Sequence, residues 1–122
     1  MPKAFARKFL FTASLMLLAA AAQANEVLIT PSFTVTIVGC AEGNVSCDNV
    51  KYTGVSRKTG AAIRLTGKTL HTMGADGVTP SRFIGYQFRN GKTVYIVTDD
   101  GQLQVRQGQK LVFSEKGQWQ GR

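Results

Sequence analysis

Residues 82–114 read RFIGYQFR, NG, KTVYIVT, DDG, QLQVR, QGQ and KLVFS: four short runs separated by three glycine-bearing turns. The runs are rich in β-branched and aromatic residues. Asn90-Gly91 and Asp99-Asp100-Gly101 lie between alternating segments, the pattern of tight hairpins, and Asn-Gly suits a type I′ turn because both of its central residues need positive φ. This half of the chain therefore predicts an antiparallel meander.

The same pattern extends toward the N-terminus. Val27–Ile29 and Phe33–Val38 are β-branched or aromatic at nearly every position, with Phe33, Val35 and Ile37 alternating with Thr34 and Thr36. Pro31 breaks the two runs apart. Asn49–Val55 alternates less cleanly, and Ala61–Met73 places Ile63 and Leu65 on one side and Arg64 and Thr66 on the other, with Gly67 read as a bulge or bend. No eleven-residue window after residue 24 keeps apolar side chains at helical spacing, so no helix is predicted there. Seven or eight short strands without a covering helix must fold onto themselves. The expectation is one all-β domain over residues 25–122, a small antiparallel meander closing into a barrel or sandwich. A barrel is favoured because successive hairpins make neighbours and closure removes exposed edges.

Residues 1–24 have the grammar of a cleaved export signal. Lys3, Arg7 and Lys8 form a positive start, Phe9–Ala22 an apolar run of 14 residues, and Ala22-Gln23-Ala24 a small-residue cleavage site before Asn25. The run is shorter than the ~20 residues that span ~30 Å of hydrocarbon, so the processed chain is expected not to be transmembrane. The 122-residue chain has 15 Lys+Arg against 7 Asp+Glu. Removing three cations and no acid lowers its net charge from +8 to +5. In an exported protein that surplus points away from nucleic acid and toward envelope polymers or anionic lipid.

Cys40 and Cys47 are an even pair in an oxidising compartment, which predicts a disulfide. Closing a loop of about eight residues contributes roughly 2.5 kcal/mol by chain entropy. Only His71 could join them around zinc, where four ligands are needed, and their spacing is not that of a C-x-x-C redox pair.

Catalytic chemistry has thin support. His71 is the only histidine and no base or acid partner is legible beside it. Ser81 has no G-x-S-x-G or S-x-x-K frame. Asp99 and Asp100 sit where turn chemistry wants them. The segment Gly74–Ser81 has no phosphate-loop motif, and its one carboxylate is too few for calcium. No catalytic residue, metal or cofactor is expected. What remains is binding: a recognition loop comprising Gly74, Asp76, Gly77, Thr79, Ser81 and Arg82, and anion contacts from Arg64, Lys68, Arg89 and Lys92, interleaved with Phe83, Tyr86, Phe88 and Tyr95. Arg64 and Lys68 share a face by parity, whereas Arg82 and Arg89 have opposite parity on a flat strand. Trp119, alone among polar residues 115–122, is read as a terminal-strand side chain closing one end of the core, with an exposed aromatic platform as the alternative.

An export segment, two cysteines and a small all-β domain make the chain similar in size and architecture to periplasmic lysozyme inhibitors of the eight-stranded barrel kind. Thr79-Pro80-Ser81-Arg82-Phe83 is the local echo of their inhibitory loop. That likeness implies a protein partner held by the loop, but the basic charge is the wrong sign for a cationic lysozyme. The leading expectation is a non-enzymatic periplasmic or secreted binding protein for an anionic envelope ligand. An inhibitor or immunity protein acting on a wall hydrolase comes second and a small hydrolase third.

Overall fold

The computed structural model describes residues 25–39 and 46–122. The expected export segment 1–24 and Cys40 lie outside the described residues. The rest forms nine strands: β1 (Asn25–Ile29), β2 (Phe33–Val38), β3 (Val50–Ser56), β4 (Ala62–Met73), β5 (Pro80–Asn90), β6 (Thr93–Thr98), β7 (Gln102–Gln107), β8 (Lys110–Lys116) and β9 (Gln118–Gln120). They make one antiparallel sheet in the order β8-β7-β6-β5-β4-β3-β2-β1-β9. No helix occurs among the described residues.

Nine strands, rather than seven or eight, arise because one extended run is split at Gly117. Before it, Gln104 and Gln102 of β7 face Ser114 and Lys116. After it, Ile29 and Val27 of β1 face Gln118 and Gln120. The run exchanges its partner at the far end of the meander for the strand that began it, which curls the sheet into a nearly closed barrel and decides against a sandwich. Only glycine permits the exchange. A Cβ on Gly117 would lie 2.5 Å from the Ile29 carbonyl oxygen and 2.8 Å from Thr30 Cγ2, and its own N–H donates to Gly101 O at 2.8 Å.

Alternation then fills the interior. Leu28, Val35, Ile37, Val50, Tyr52, Tyr86, Phe88, Val97 and Leu103 form the core, with Phe83, Tyr95, Phe113 and Trp119 packed around it. Tyr52 lies 4.9 Å from Phe88 and 5.7 Å from Tyr95, centroid to centroid, in tilted contacts favourable to aromatic quadrupoles. Burial raises the Tyr52 phenol above its ordinary range.

Polar groups lock the seam. Glu26 accepts from the Tyr86 hydroxyl at 2.8 Å and from Arg122 Nη2 through both oxygens at 3.0 Å. Arg122 Nη1 donates to Asp99 Oδ1 at 2.8 Å, and the guanidinium lies 4.1 Å from the centre of the Trp119 ring. The indole N–H donates to Asp99 O at 2.9 Å. Trp119 thus sits on a terminal strand, half-buried, as the first of its two readings expected. Elsewhere along the seam, Ser32 donates through N–H and hydroxyl to Glu115 at 3.0 and 2.6 Å, and Phe33 meets Phe113 edge-on at 5.6 Å.

Two local expectations need correction. Asn90 pairs with Thr93, so Gly91-Lys92 is the two-residue turn. Positive φ falls on Gly91 and on no non-glycine residue, the pattern of a type II′ turn rather than I′. Gly67 is not a bulge: it pairs in register with Val50 and Phe88. Its bare Cα lets β4 and β5 approach, since a Cβ there would lie 1.9 Å from Gln87 O.

Gly117→Ala is expected to cost about 3 kcal/mol or more, because backbone must shift where strands meet. Gly108→Asn, at a left-handed turn position with open space around it, is expected to cost under about 1 kcal/mol. Urea midpoints at unchanged slope measure both.

Candidate functional site

The site is built on the outer face of β3, β4 and β5. Along β4, Arg64, Thr66 and Lys68 are exposed and alternate with half-buried Ile63, Leu65 and Gly67. The register sets Thr53 opposite Arg64 and Lys51 opposite Thr66, and Lys51 Nζ donates to Thr66 Oγ1 at 3.2 Å. On the other side Gln87 faces Lys68 and Phe88 faces Gly67, which brings Arg89, the next residue, beside Thr66. Lys51, Arg64, Lys68 and Arg89 therefore surround Thr66 on strands about 4.8 Å apart. Neutral Thr53, Thr66 and Gln87 fill the spaces between them. None of the four cations is in an ion pair among the described residues, where the pairs involve only Lys116 and Arg122.

A shallow cleft of about 220 Å³ opens in this face, lined by Asp48, Thr66, Gly67, Lys68, Gln87, Phe88 and Arg89. Lys68 and Arg89 supply charged donors, and Gln87 and Thr66 neutral ones, a set suited to anionic oxygens. Asp48 is the single carboxylate on its border. Other acids are committed elsewhere: Glu26 and Asp99 to Arg122, Glu115 to Ser32 and Asp100 to the Thr98 hydroxyl. Charge is thus uneven around the barrel: four of the described acids, Glu26, Asp99, Asp100 and Glu115, stand at the seam, while β3–β5 carry Lys51, Arg64, Lys68, Arg82 and Arg89.

Arg82 joins the same face, contrary to the flat-strand parity. The β4–β5 ladder runs Leu70 with Gly85 and then His71 with Phe83, leaving Ile84 as an extra residue. This bulge resets the alternation, so Phe83 and Tyr86, three apart, both point inward with rings 5.1 Å apart. Gly85 accommodates it at φ 150°, where a Cβ would lie 2.4 Å from Val97 O. Arg82 and Arg89 consequently both face outward. Lys92 does not join them: it occupies the β5–β6 turn at the opposite end of the barrel from residues 74–79.

The β4–β5 connection is residues 74–79, with Ser81 and Arg82 already in β5. It is closed on itself. Gly74 N–H donates to Thr79 O at 2.8 Å and Gly77 N–H to Gly74 O at 3.0 Å, with Gly77 at φ 76°. Asp76 Oδ1 accepts from the amides of Val78 and Thr79 at 3.0 and 2.9 Å, and Oδ2 from the Thr79 hydroxyl. The Thr79 hydroxyl foremost, then these amides, pull the Asp76 carboxyl down to about 2.

His71 lies half-buried on β4, 6.3 Å from the Phe83 ring, beside a cleft of about 280 Å³ lined also by Cys47, Asp48 and Thr69. Cys47 is held to β4 by reciprocal bonds with Thr69, each 2.9 Å. No free thiol occurs among the described residues, while the pairing with Cys40 falls on a residue outside them. Among the described residues no group of three His, Cys, Asp or Glu could hold a metal ion, and no helix is long and apolar enough to cross a membrane. Lys51 is the member of the cationic face that the sequence did not disclose, because its place depends on cross-strand register. No protein family, curated protein or solved structure matches the chain.

Because the Asp76 carboxyl titrates lower when folded, its contribution is present above its ordinary 3.8 and is lost as pH falls toward about 2. Amide exchange at Val78 and Thr79 is expected to accelerate across that interval while the core amides stay protected. Asp76→Ala should produce the same local acceleration at neutral pH.

Proposed function

We propose that the chain is an exported, non-enzymatic binding protein of the periplasm or cell exterior, whose β3–β5 face takes up an anionic ligand. In this reading residues 1–24 are removed as an export signal and a Cys40–Cys47 disulfide staples the connection that leads into β3. The observation that carries it is the grouping of Lys51, Arg64, Lys68 and Arg89 around Thr66 without a carboxylate partner among the described residues. Uncompensated cations repel one another, so a fold that gathers them in one place gains when an anion arrives. The lysozyme-inhibitor-like alternative draws on one feature, the pre-organised tip at residues 74–79. It predicts that a protein partner is lost when that tip is replaced by a Gly-Ser linker.

Retention on a heparin resin tests the proposal. Elution is expected to advance steeply from low to physiological salt, and the triple variant Arg64→Ser, Lys68→Ser, Arg89→Ser should bind roughly tenfold more weakly or worse with its fold intact by circular dichroism. Salt-insensitive retention, or a triple variant that binds as well as the parent chain, overturns it.

A further inference from the structure

The β4–β5 hairpin reaches beyond the body of the barrel. Among the described residues β3 pairs with β4 only as far as Gly67, with Cys47 bonding Thr69 just above it, and β6 pairs with β5 only from Gly85, with Asp99 N–H donating to Ile84 O just above it. Among the described residues the far end of the hairpin is therefore two-stranded. It carries three of the five large hydrophobic side chains that the described residues leave exposed: Met73 at 56%, Val78 at 72% and Ile84 at 37%. Arg82 lies between Val78 and Ile84, and Lys68 and Arg89 continue the same outer face. Exposed apolar side chains rimmed by cations are unfavourable in water and match the boundary between anionic headgroups and acyl chains.

Four amides of the tip also meet a stricter requirement of that environment. Backbone groups moved out of water need partners, and an unsatisfied one costs several kcal/mol. Here Gly74 N–H, Gly77 N–H, Val78 N–H and Thr79 N–H all donate within the loop, and Arg82 N–H donates to Thr72 Oγ1 at 2.9 Å. Asp76, the one carboxylate of the tip, is turned onto the loop's own donors. A loop built to grip a protein partner would leave such groups available, whereas this one turns four amides and its carboxylate onto itself and leaves Val78 exposed.

We infer that the ligand of the cationic face is an anionic bilayer surface, on which the barrel lies with β4–β5 down, Arg82, Lys68 and Arg89 at the headgroups and Val78 and Ile84 dipped into the interface. This rests on the anion-binding reading and narrows it from a polyanion in general to a lipid surface.

The full chain carrying Val78→Trp, with Leu111→Trp at the opposite end of the barrel as comparison, is mixed with vesicles of phosphatidylcholine alone or with about a third phosphatidylglycerol. Relative to the parent chain, the indole introduced by Val78→Trp is expected to add emission that shifts to the blue and is quenched by lipids brominated in the acyl chain. The indole introduced by Leu111→Trp should do neither. Placing the reporter at the tip separates its insertion from any effect of the apolar N-terminal run. Three cations near an anionic surface predict roughly a hundredfold preference over neutral vesicles. The double variant Val78→Ser, Ile84→Ser should keep its heparin retention and lose most of its vesicle binding. Heparin retention without a response from the Val78→Trp reporter overturns the bilayer inference and leaves the polyanion reading standing. Loss of both overturns both. A reporter response at the tip that is equal on neutral and anionic vesicles overturns the role given to the cations.

Discussion

At Gly117 the last extended run leaves β7 and joins β1, and the meander that would otherwise end in two free edges becomes a nearly closed barrel. The contact admits no side chain, because the Ile29 carbonyl already occupies the place of a Cβ. Closure brings residues distant in the chain into one network: Glu26 from the start, Tyr86 and Asp99 from the middle, and Trp119 and Arg122 from the end. Burial raises the Tyr86 phenol above its ordinary range, and the hydrogen bond to Glu26 adds to the rise. That group therefore favours the folded state below its ordinary titration range and loses its contribution in strong alkali.

The distribution of charge follows from that closure. The seam consumes acids, since Arg122 and the hydroxyls of Ser32 and Tyr86 require acceptors there. Burial works against the Glu115 carboxylate, yet hydrogen bonds from Ser32 and Thr30 hold it below its usual range. With Glu26, Glu115, Asp99 and Asp100 on β1, β8 and the β6–β7 turn, the β3–β5 side of the barrel has Asp48 and the self-bonded Asp76 as its carboxylates among the described residues. A basic composition on its own says little about partners. Its separation into a neutralised seam and an uncompensated face gives the surplus a direction.

Much of the fold is legible in the residues. Asn90-Gly91, Asp99-Asp100-Gly101 and Gln107-Gly108-Gln109 announce the meander because glycine permits conformations the turns require. The ninth strand is not legible, since Gln118 and Gln120 face solvent and a polar tail carries no β signature of its own. The face of β4 can be read from parity, and Arg64 and Lys68 do share it. Arg82 and Arg89 cannot be placed that way: the bulge at Ile84 inverts the alternation within a run, RFIGYQF, that gives no sign of it except Gly85. Lys51 enters the face, and Lys92 leaves it, through register and turn position, which are properties of strand pairs rather than of strands. Gly74–Ser81 reads as a recognition loop from composition, and only the hydrogen bonds of Gly74, Gly77 and Asp76 reveal it as a closed turn.

The most direct test of the account is to ask which neighbours the final run has in solution. In nuclear Overhauser spectra of the folded chain, cross-strand contacts are predicted from Ser114 to Gln104 and, past Gly117, from Trp119 to Leu28 and from Gln120 to Val27, with slow exchange of the amides that the β1–β9 ladder protects. Contacts of residues 118–120 with β7 alone, or with no strand, would contradict the closed seam and with it the separation of charge that defines the candidate site.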